Sequence, residues 1–332
     1  MPPTKLLALT DFPTSFFKEF WPDLSETYMN FLDTVIESGE MSVSQRQSII
    51  RLIPKKDKDT TYLKNWRPLT LSQSDSKMLS KTLAIMLLFV ISNLIHPNQV
   101  AYIANRFIGE GIKTIEGVVE YIQEMGLSAI MFAIDFERAF DSLEWFFIWL
   151  ALTAYGFPKK FIDKIKILYT NIEACVINGG TSTKYFKISR GIKQGDPASG
   201  IIFVLAIELL AIKVRSTKAI QGVSIGETEI KLSGYADDFN HFLRDIVSMK
   251  KILEVLERFG IISGLKCNIS KCEAMVLGKG KPEDVKYNGE SIRWVDKMKI
   301  TGITFGNDRV HNMNENFKPA IEKVKTNFNM YE

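Results

Sequence analysis

Residues 128–134, SAIMFAI, form an unbroken apolar run that stops at Asp135. The pattern predicts a strand buried on both faces. Residues 230–244, IKLSGYADDFNHFLR, alternate apolar and polar positions on both sides of adjacent acids, Asp237 and Asp238. Period-two alternation around such a pair predicts strand, tight turn, strand, with the acids at the turn. Residues 12–50 carry a helical pattern with Phe16, Phe17, Phe20 and Trp21 as anchors, and SIIRLIPK (48–55) reads as a short strand running into a basic turn. PLTL (68–71) is extended and leads into a long helix from Ser74 or Asp75, and a further helix is predicted from about Ile112.

After Asp135 a helix is expected from about Ser142, where Asp141 and Glu144 have capping-box-like spacing and Gly156 and Pro158 mark the stop. Residues 184–200 read as strand, Gly-rich turn, then helix to about Lys218, with Asp196 as N-cap and Pro197 at the first helical position. IVSMKKILEVLERFGIISG (246–264) is one amphipathic helix stopped by glycine, and EAMVLG and MKITGITFG are strands after it. The runs at 83–95 and 201–212 are shorter than the roughly 20 residues of a membrane span and read as buried helices. KLLALT (5–10) is too short for a secretory apolar region, and GKGKPED (278–284) reads as a surface turn. Alternating strands and helices argue an α/β or α+β class.

Composition narrows this little. The 332 residues suffice for one large domain or two or three subdomains, and 46% hydrophobic with 24% charged residues is ordinary for a soluble globular protein. A net charge of +4 leans toward polyanions but is too small to argue nucleic-acid binding alone. Cys175, Cys267 and Cys272 give no disulfide framework and point to a reducing, intracellular setting. Cys267 and Cys272 also lack the second pair or His cluster of a zinc site.

Three acids carry the chemistry. Asp is a good turn residue, so Asp237 and Asp238 could simply make a hairpin. Two neighbouring carboxylates nevertheless repel unless they face water or hold a cation. Asp135 closes a buried strand, where open sheets place their sites, and a core strand ends in a charge only beside water, a partner or a metal. If that strand lies beside the hairpin, the carboxylates converge into hard oxygen ligands that suit Mg²⁺ and phosphoryl transfer. Gly191 and Gly195 flank Gln194 in RGIKQGDP, where backbone could approach a ligand closely. Lys55, Lys56, Lys58, Lys64 and Arg67 cluster in 51–70, and Arg67 offers a bidentate phosphate fork. A solvated basic hairpin is the plainer reading for Lys58 and Lys64.

In order along the chain stand LIPKKDKD, LKNWRPLTL, NQVAYIANRFIGE, FAIDFERAFD, RGIKQGDPASG, YADD, GLKCNISKCEAMVLG and KITGITFG. Together they resemble the reverse transcriptase domain of non-LTR, LINE-type retrotransposons, from about FPTSFFKEFW to FKPAIEKVKTNF. The resemblance implies an α+β right-hand polymerase fold, with an antiparallel palm sheet carrying the YADD hairpin. It places a reverse transcriptase domain over 48–306, with fingers about 12–125, palm about 126–295 and primer grip about 296–306. Residues 307–332 would begin a truncated thumb, and endonuclease and thumb regions are expected in a full-length element. The implied function is RNA-directed DNA polymerase, the alternative being an impaired fragment that only binds nucleic acid. Asp135, Asp237 and Asp238 match the metal-binding acids of the family, with Asp238 in support. Lys55 and Arg67 match residues that grip the incoming triphosphate, and Phe140, with Phe136 beside it, matches the substrate pocket, Phe140 being the bulky gate against a ribose 2′-hydroxyl. Gln194 and Gly195 match the turn against the nascent base pair and template, and Lys271 is similar to a lysine that protonates the leaving pyrophosphate. Implied cofactors are two Mg²⁺ ions, with Mn²⁺ as a substitute. Implied partners are an RNA template, a DNA primer and dNTPs, and no membrane. The chain departs from related members at Gly234, often polar there, and at Ala198 and Gly200, often leucine and proline.

Overall fold

A computed structural model describes residues 12–328, which leaves KLLALT outside the described residues. Along the chain the main elements are α1 (Trp21–Ser38), β1 (Gln47–Pro54), β2 (Trp66–Leu71), α2 (Ser74–Leu94), α3 (Ile108–Glu124), β3 (Ser128–Ile134), α4 (Trp145–Ala154), α5 (Lys159–Ile167) and β4 (Glu173–Asn178). They continue with α6 (Ser199–Ser216), β5 (Leu232–Tyr235), β6 (Asp238–Leu243), α7 (Ile246–Ser263), β7 (Glu273–Gly278), β8 (Lys297–Ile300), β9 (Ile303–Gly306) and α8 (Arg309–Phe328). Two compact units form, Met1–Ile95 with Arg138–Ala206, and His96–Glu137 with Ile207–Glu332. The division falls within α6.

In the first unit β1 pairs antiparallel with β2, from Ile49 opposite Leu71 to Pro54 opposite Trp66, and parallel with β4. The predicted helix over 12–50 is broken. Gly39, in the left-handed region at φ 73°, ends α1, and residues 47–50 already belong to β1. Phe20 and Trp21 are exposed, and Phe16 lies against Phe12 and Phe20 instead of anchoring a core. The run at 83–95 is only half buried. Leu83, Leu87 and Ile91 face inward, while Ile85, Met86, Val90 and Phe89 (78% exposed) form the opposite face. By length and composition alone, α2 is long and apolar enough to cross a membrane.

The second unit holds a sheet ordered Arg293–Trp294, β7, β3, β6, β5, so β3 is central. It pairs antiparallel with both neighbours, and after the exposed Ser128 its residues are apolar because side chains on both of its faces are buried. Ile115, Val118, Val119 and Ile122 of α3 recur at helical spacing and pack on Ala129, Met131, Phe242, Met275 and Leu277. Each such side chain, fully buried, stabilises the unit by roughly 1.5–3 kcal/mol. Asp245 caps α7 by accepting from the Ser248 N–H, and Gly264 ends it at φ 79°, as the pattern predicts.

His241 of β6 is fully buried near the rings of Phe132 and Phe239, and its Nδ1 lies 3.4 Å from the Phe132 carbonyl. Its Nε2 has no hydrogen-bond partner among the described residues. Burial pushes its pKa down to about 4. An unfolded histidine binds its proton near pH 6.5, so the unfolded chain is protonated first as pH falls. The stability present above pH 6.5 is therefore lost progressively toward pH 4, by about 3 kcal/mol in all. In His241→Leu, melting temperature measured from pH 7 to pH 4 is expected to lose this part of its acid slope.

Candidate active site

Asp135 follows the last residue of β3 and is fixed through its backbone. Its carbonyl accepts from the Asn268 N–H at 2.8 Å, and its N–H points to Cys272 Sγ at 3.5 Å. The carboxylate is left free to project, and Lys271 Nζ lies 3.2 Å from its Oδ1. Lys271 sits on a single 3₁₀ turn, Ile269–Lys271.

The predicted hairpin forms with Asp237 at its turn, whereas Asp238, expected at the turn too, opens β6 as a paired strand residue. Tyr235 pairs with Asp238, which leaves Ala236 and Asp237 as a two-residue loop. Ala236 has φ 54°, a left-handed conformation that an L-alanine adopts at a cost. Phe239 pairs with Ile134 across β6 and β3. One step further, that antiparallel register sets Asp238 opposite Asp135. The strand end and the hairpin turn thus meet. Burial raises the pKa of Asp237, and the charge of Asp135 raises it further. Asp238 is pushed up to about 6, first by burial, then by Asp237 and Asp135. A pocket of about 160 Å³ is lined by Asp135, Asp238, Lys271, Glu273 and Lys299 among others.

Three carboxylates, two of them with proton affinity raised by burial and by their acidic neighbours, fit a hard divalent cation in charge and donor type. Among the described residues no group of three or more His, Cys, Asp or Glu side chains closes around one point. The proton and a cation compete for the same oxygens. In metal-free protein the folded pKa of Asp238 lies above that of an unfolded aspartate. Its charge therefore opposes folding above about pH 6, and that opposition fades as pH falls toward 4. Asp238→Asn is expected to raise the melting temperature of metal-free protein at pH 8 but hardly at pH 4.5. A divalent cation should bind wild type more weakly below pH 6, which calorimetry against Mn²⁺ would show.

Phe136 is only 5% exposed, and its backbone bridges antiparallel to that of Cys267. The Sγ atoms of Cys267 and Cys272 lie 3.3 Å apart, and both residues are free thiols.

In the first unit, β1 and β2 present Lys55 and Arg67. Ile53 pairs with Arg67, and the Lys55 N–H continues the ladder to the Asn65 carbonyl. Period-two alternation from Ile53 then sets Lys55 on the same side as Arg67. Arg67 is exposed, and Lys55 Nζ donates to the Lys64 carbonyl at 2.9 Å.

Phe140, Gln194 and Gly195 also gather within this unit. The Phe140 ring stacks on Phe203 with centroids 4.5 Å apart and planes 10° apart, and its carbonyl accepts from the Ile192 N–H at 2.7 Å. The Gln194 carbonyl accepts from the Thr70 N–H, and its amide donates to Asp141 Oδ1 at 3.2 Å. Gly191 has φ 81°, and a Cβ there would stand 2.7 Å from the Asp141 carbonyl oxygen, so only glycine fits. The capping box expected of Asp141 and Glu144 does not form. The helix starts at Trp145 after Glu144, with no side-chain cap, and Asp141 lies instead in a separate helical turn, Ala139–Ser142, where its carboxylate accepts from Gln194. The helix α6 starts at Ser199, two residues after Pro197, and Asp196 Oδ1 accepts from the Ala198 N–H and from Ser80 Oγ. Pattern reading missed Ser80 and gave Asp141 the wrong partner, since the partners of both lie far away in sequence.

Residues 53–305 match the family described as Reverse transcriptase (RNA-dependent DNA polymerase). The chain belongs to that family. It is 29% identical over 329 residues to the Transposon TX1 uncharacterized 149 kDa protein of Xenopus laevis, covering 98% of this chain and 25% of that protein. It is 28% identical over 242 residues to the Retrovirus-related Pol polyprotein from type-2 retrotransposable element R2DM of Drosophila melanogaster, covering 69% of this chain and 22% of that protein. The resemblance to non-LTR retrotransposon proteins read from the motifs therefore holds, and the chain spans about a quarter of the length of these relatives. Among solved structures, apo telomerase from Candida tropicalis aligns with TM-score 0.54 at 14% identity, over 87% of this chain and 52% of that one. Telomerase from Candida albicans, in complex with a TWJ fragment of telomeric RNA, aligns with TM-score 0.52 at 11% identity, over 81% and 48%. Helices with antiparallel sheets in this arrangement form the polymerase fold of reverse transcriptases. The family works with divalent metal ions.

Proposed function

We propose that this chain carries the polymerising centre of an RNA-directed DNA polymerase, which transfers a nucleotide from a dNTP to the 3′-hydroxyl of a primer under direction of an RNA template. The observation that carries the reading is the register that sets Asp238 opposite Asp135 with Asp237 in the adjoining turn, within a family match over most of the chain.

Asp135 and Asp237, with Asp238 in support, would hold Mg²⁺, or Mn²⁺ in its place. A pair of such ions supplies activation of the attacking hydroxyl and charge neutralisation at the leaving pyrophosphate. The chain's own side chains do the rest. Lys271, whose Nζ lies 3.2 Å from Asp135 Oδ1, would deliver its proton to the pyrophosphate oxygen. Lys55 and Arg67, on one side of the β1–β2 hairpin, serve the triphosphate, with Arg67 as the bidentate fork. Phe140, stacked on Phe203, would serve as the bulky gate against a ribose 2′-hydroxyl. Gln194 and Gly195 support the nascent base pair, and the β8–β9 hairpin within 296–306 serves as primer grip. In this reading 12–125 are fingers and 126–295 palm.

The test is primer extension on a primed RNA template with Mg²⁺ and dNTPs, run beside Asp237→Asn, with primer–template binding measured for both. Extension by wild type and none by the variant is expected. Binding without extension in both would mean a chain that only holds nucleic acid.

A further inference from the structure

The turn that carries Asp237 contains a buried alanine, Ala236, 6% exposed and at φ 54°. A two-residue hairpin loop usually spends a glycine or asparagine on a positive φ. What holds this alanine there is a side chain 137 positions away. Gln99 is completely buried. Its Nε2 donates to the Ala236 carbonyl at 3.1 Å, and its Oε1 accepts from the Ala236 N–H at 2.9 Å. Both backbone groups of one turn residue are thus met by one amide, as a neighbouring strand would meet them.

Gln99 is itself braced. Its Oε1 also accepts from the Ala101 N–H at 3.1 Å. Its backbone lies parallel to Gly234, where the Gly234 N–H donates to the Asn98 carbonyl and the Val100 N–H to the Gly234 carbonyl. Arg106 donates to the carbonyls of His96 and Gln99, each at 2.8 Å, and closes the loop beneath. Gly234 makes room for the amide, since a Cβ there would stand 3.2 Å from Gln99 Nε2 and 3.3 Å from the Phe239 ring.

We propose that Gln99 is the positioning residue of the metal turn: its amide fixes Ala236 in the left-handed conformation and so sets the direction in which Asp237 points. This rests on Asp237 being a metal-binding acid, but the clamp is measurable without metal or activity. Gln99→Met keeps volume and removes both hydrogen bonds. Gln99→Glu at neutral pH keeps the acceptor and removes the donor. Gly234→Ala leaves Gln99 in place and crowds its amide.

Amide hydrogen exchange of metal-free protein reads the clamp directly. In Gln99→Met the Ala236 and Asp237 amides are expected to exchange about tenfold faster, the effect of losing roughly one hydrogen bond's net stabilisation. Exchange in the β3–β7 ladder should stay unchanged. Mn²⁺ affinity should fall by a similar factor, and adding Ala236→Gly, which reaches positive φ without help, should restore most of it. Where Gln99→Met fails to fold, Gln99→Glu and Gly234→Ala carry the same readout with smaller expected changes. A folded variant whose Ala236 exchange matches wild type overturns the proposal. Faster exchange in a chain whose wild type binds no Mn²⁺ leaves the clamp standing and overturns the metal reading instead.

Discussion

Asp135→Asn is expected to lower the rate of primer extension by on the order of 10³ or more, with little change in melting temperature. The two effects separate because Asp135 is tied to the fold by its backbone. The carbonyl bond to Asn268 and the N–H contact with Cys272 do not depend on the carboxylate. Asparagine keeps the shape and removes the charge. The ion pair lost with Lys271 has side chains 39% and 59% exposed, so its contribution to stability is about 1 kcal/mol or less. Single-turnover extension together with thermal unfolding would check this. A variant that extends at near wild-type rate would remove Asp135 from the metal site. One that melts far lower would make it a structural acid.

Phe140→Ala is expected to raise the preference for ribonucleotides over deoxyribonucleotides by about 10²-fold. A hydroxyl can be excluded by a wall only if the wall cannot move. The near-parallel stack on Phe203 and the bond from Ile192 to the Phe140 carbonyl hold this ring in place. Removing it also loses one aromatic pair, about 0.5–1.5 kcal/mol beyond the area lost, so a modest fall in melting temperature accompanies the change. Phe140→Tyr keeps the wall and should keep the discrimination. The ratio of kcat/KM for rNTP and dNTP on one template decides the matter. An alanine variant that extends with dNTPs and still rejects rNTPs places the gate elsewhere.

Much of the second unit was legible because local pattern and burial agree there. The run at 128–134 is the central strand, residue for residue, since a strand buried on both faces reads as a continuous apolar run. The alternation around Asp237 and Asp238 gave the hairpin and its turn, and glycine gave the end of α7. Starts of helices were harder to read. The helix α3 begins at Ile108, not near Ile112: Gly109 and Gly111 have low helix propensity and hide the first turn, which forms nonetheless as the packing of Ile115 to Ile122 holds the helix together. Asp141 with Glu144 has the spacing of a cap, yet a glutamine 53 residues away takes the carboxylate. The apolar run in α2 says nothing about which side is buried, and Phe89 faces outward.

For the site, residue types and motif order pointed to the acids, but not to what aims them. The facing of Asp135 and Asp238 is a matter of register. The positive φ at Ala236 and its clamp by Gln99 join segments 137 positions apart, and NQVAY carries no local sign of it. Asp237 and Ala236 belong to the same short turn, so the geometry of a candidate metal ligand depends on a residue with no charge and no exposure.

The most direct measurement is single-nucleotide incorporation on primed RNA templates that differ only in the first unpaired base, each dNTP offered alone with Mg²⁺. The account predicts that only the complementary dNTP is added for each template, and that addition disappears in Asp237→Asn. A bound primer–template to which no nucleotide is added, or addition that ignores the template base, would contradict it.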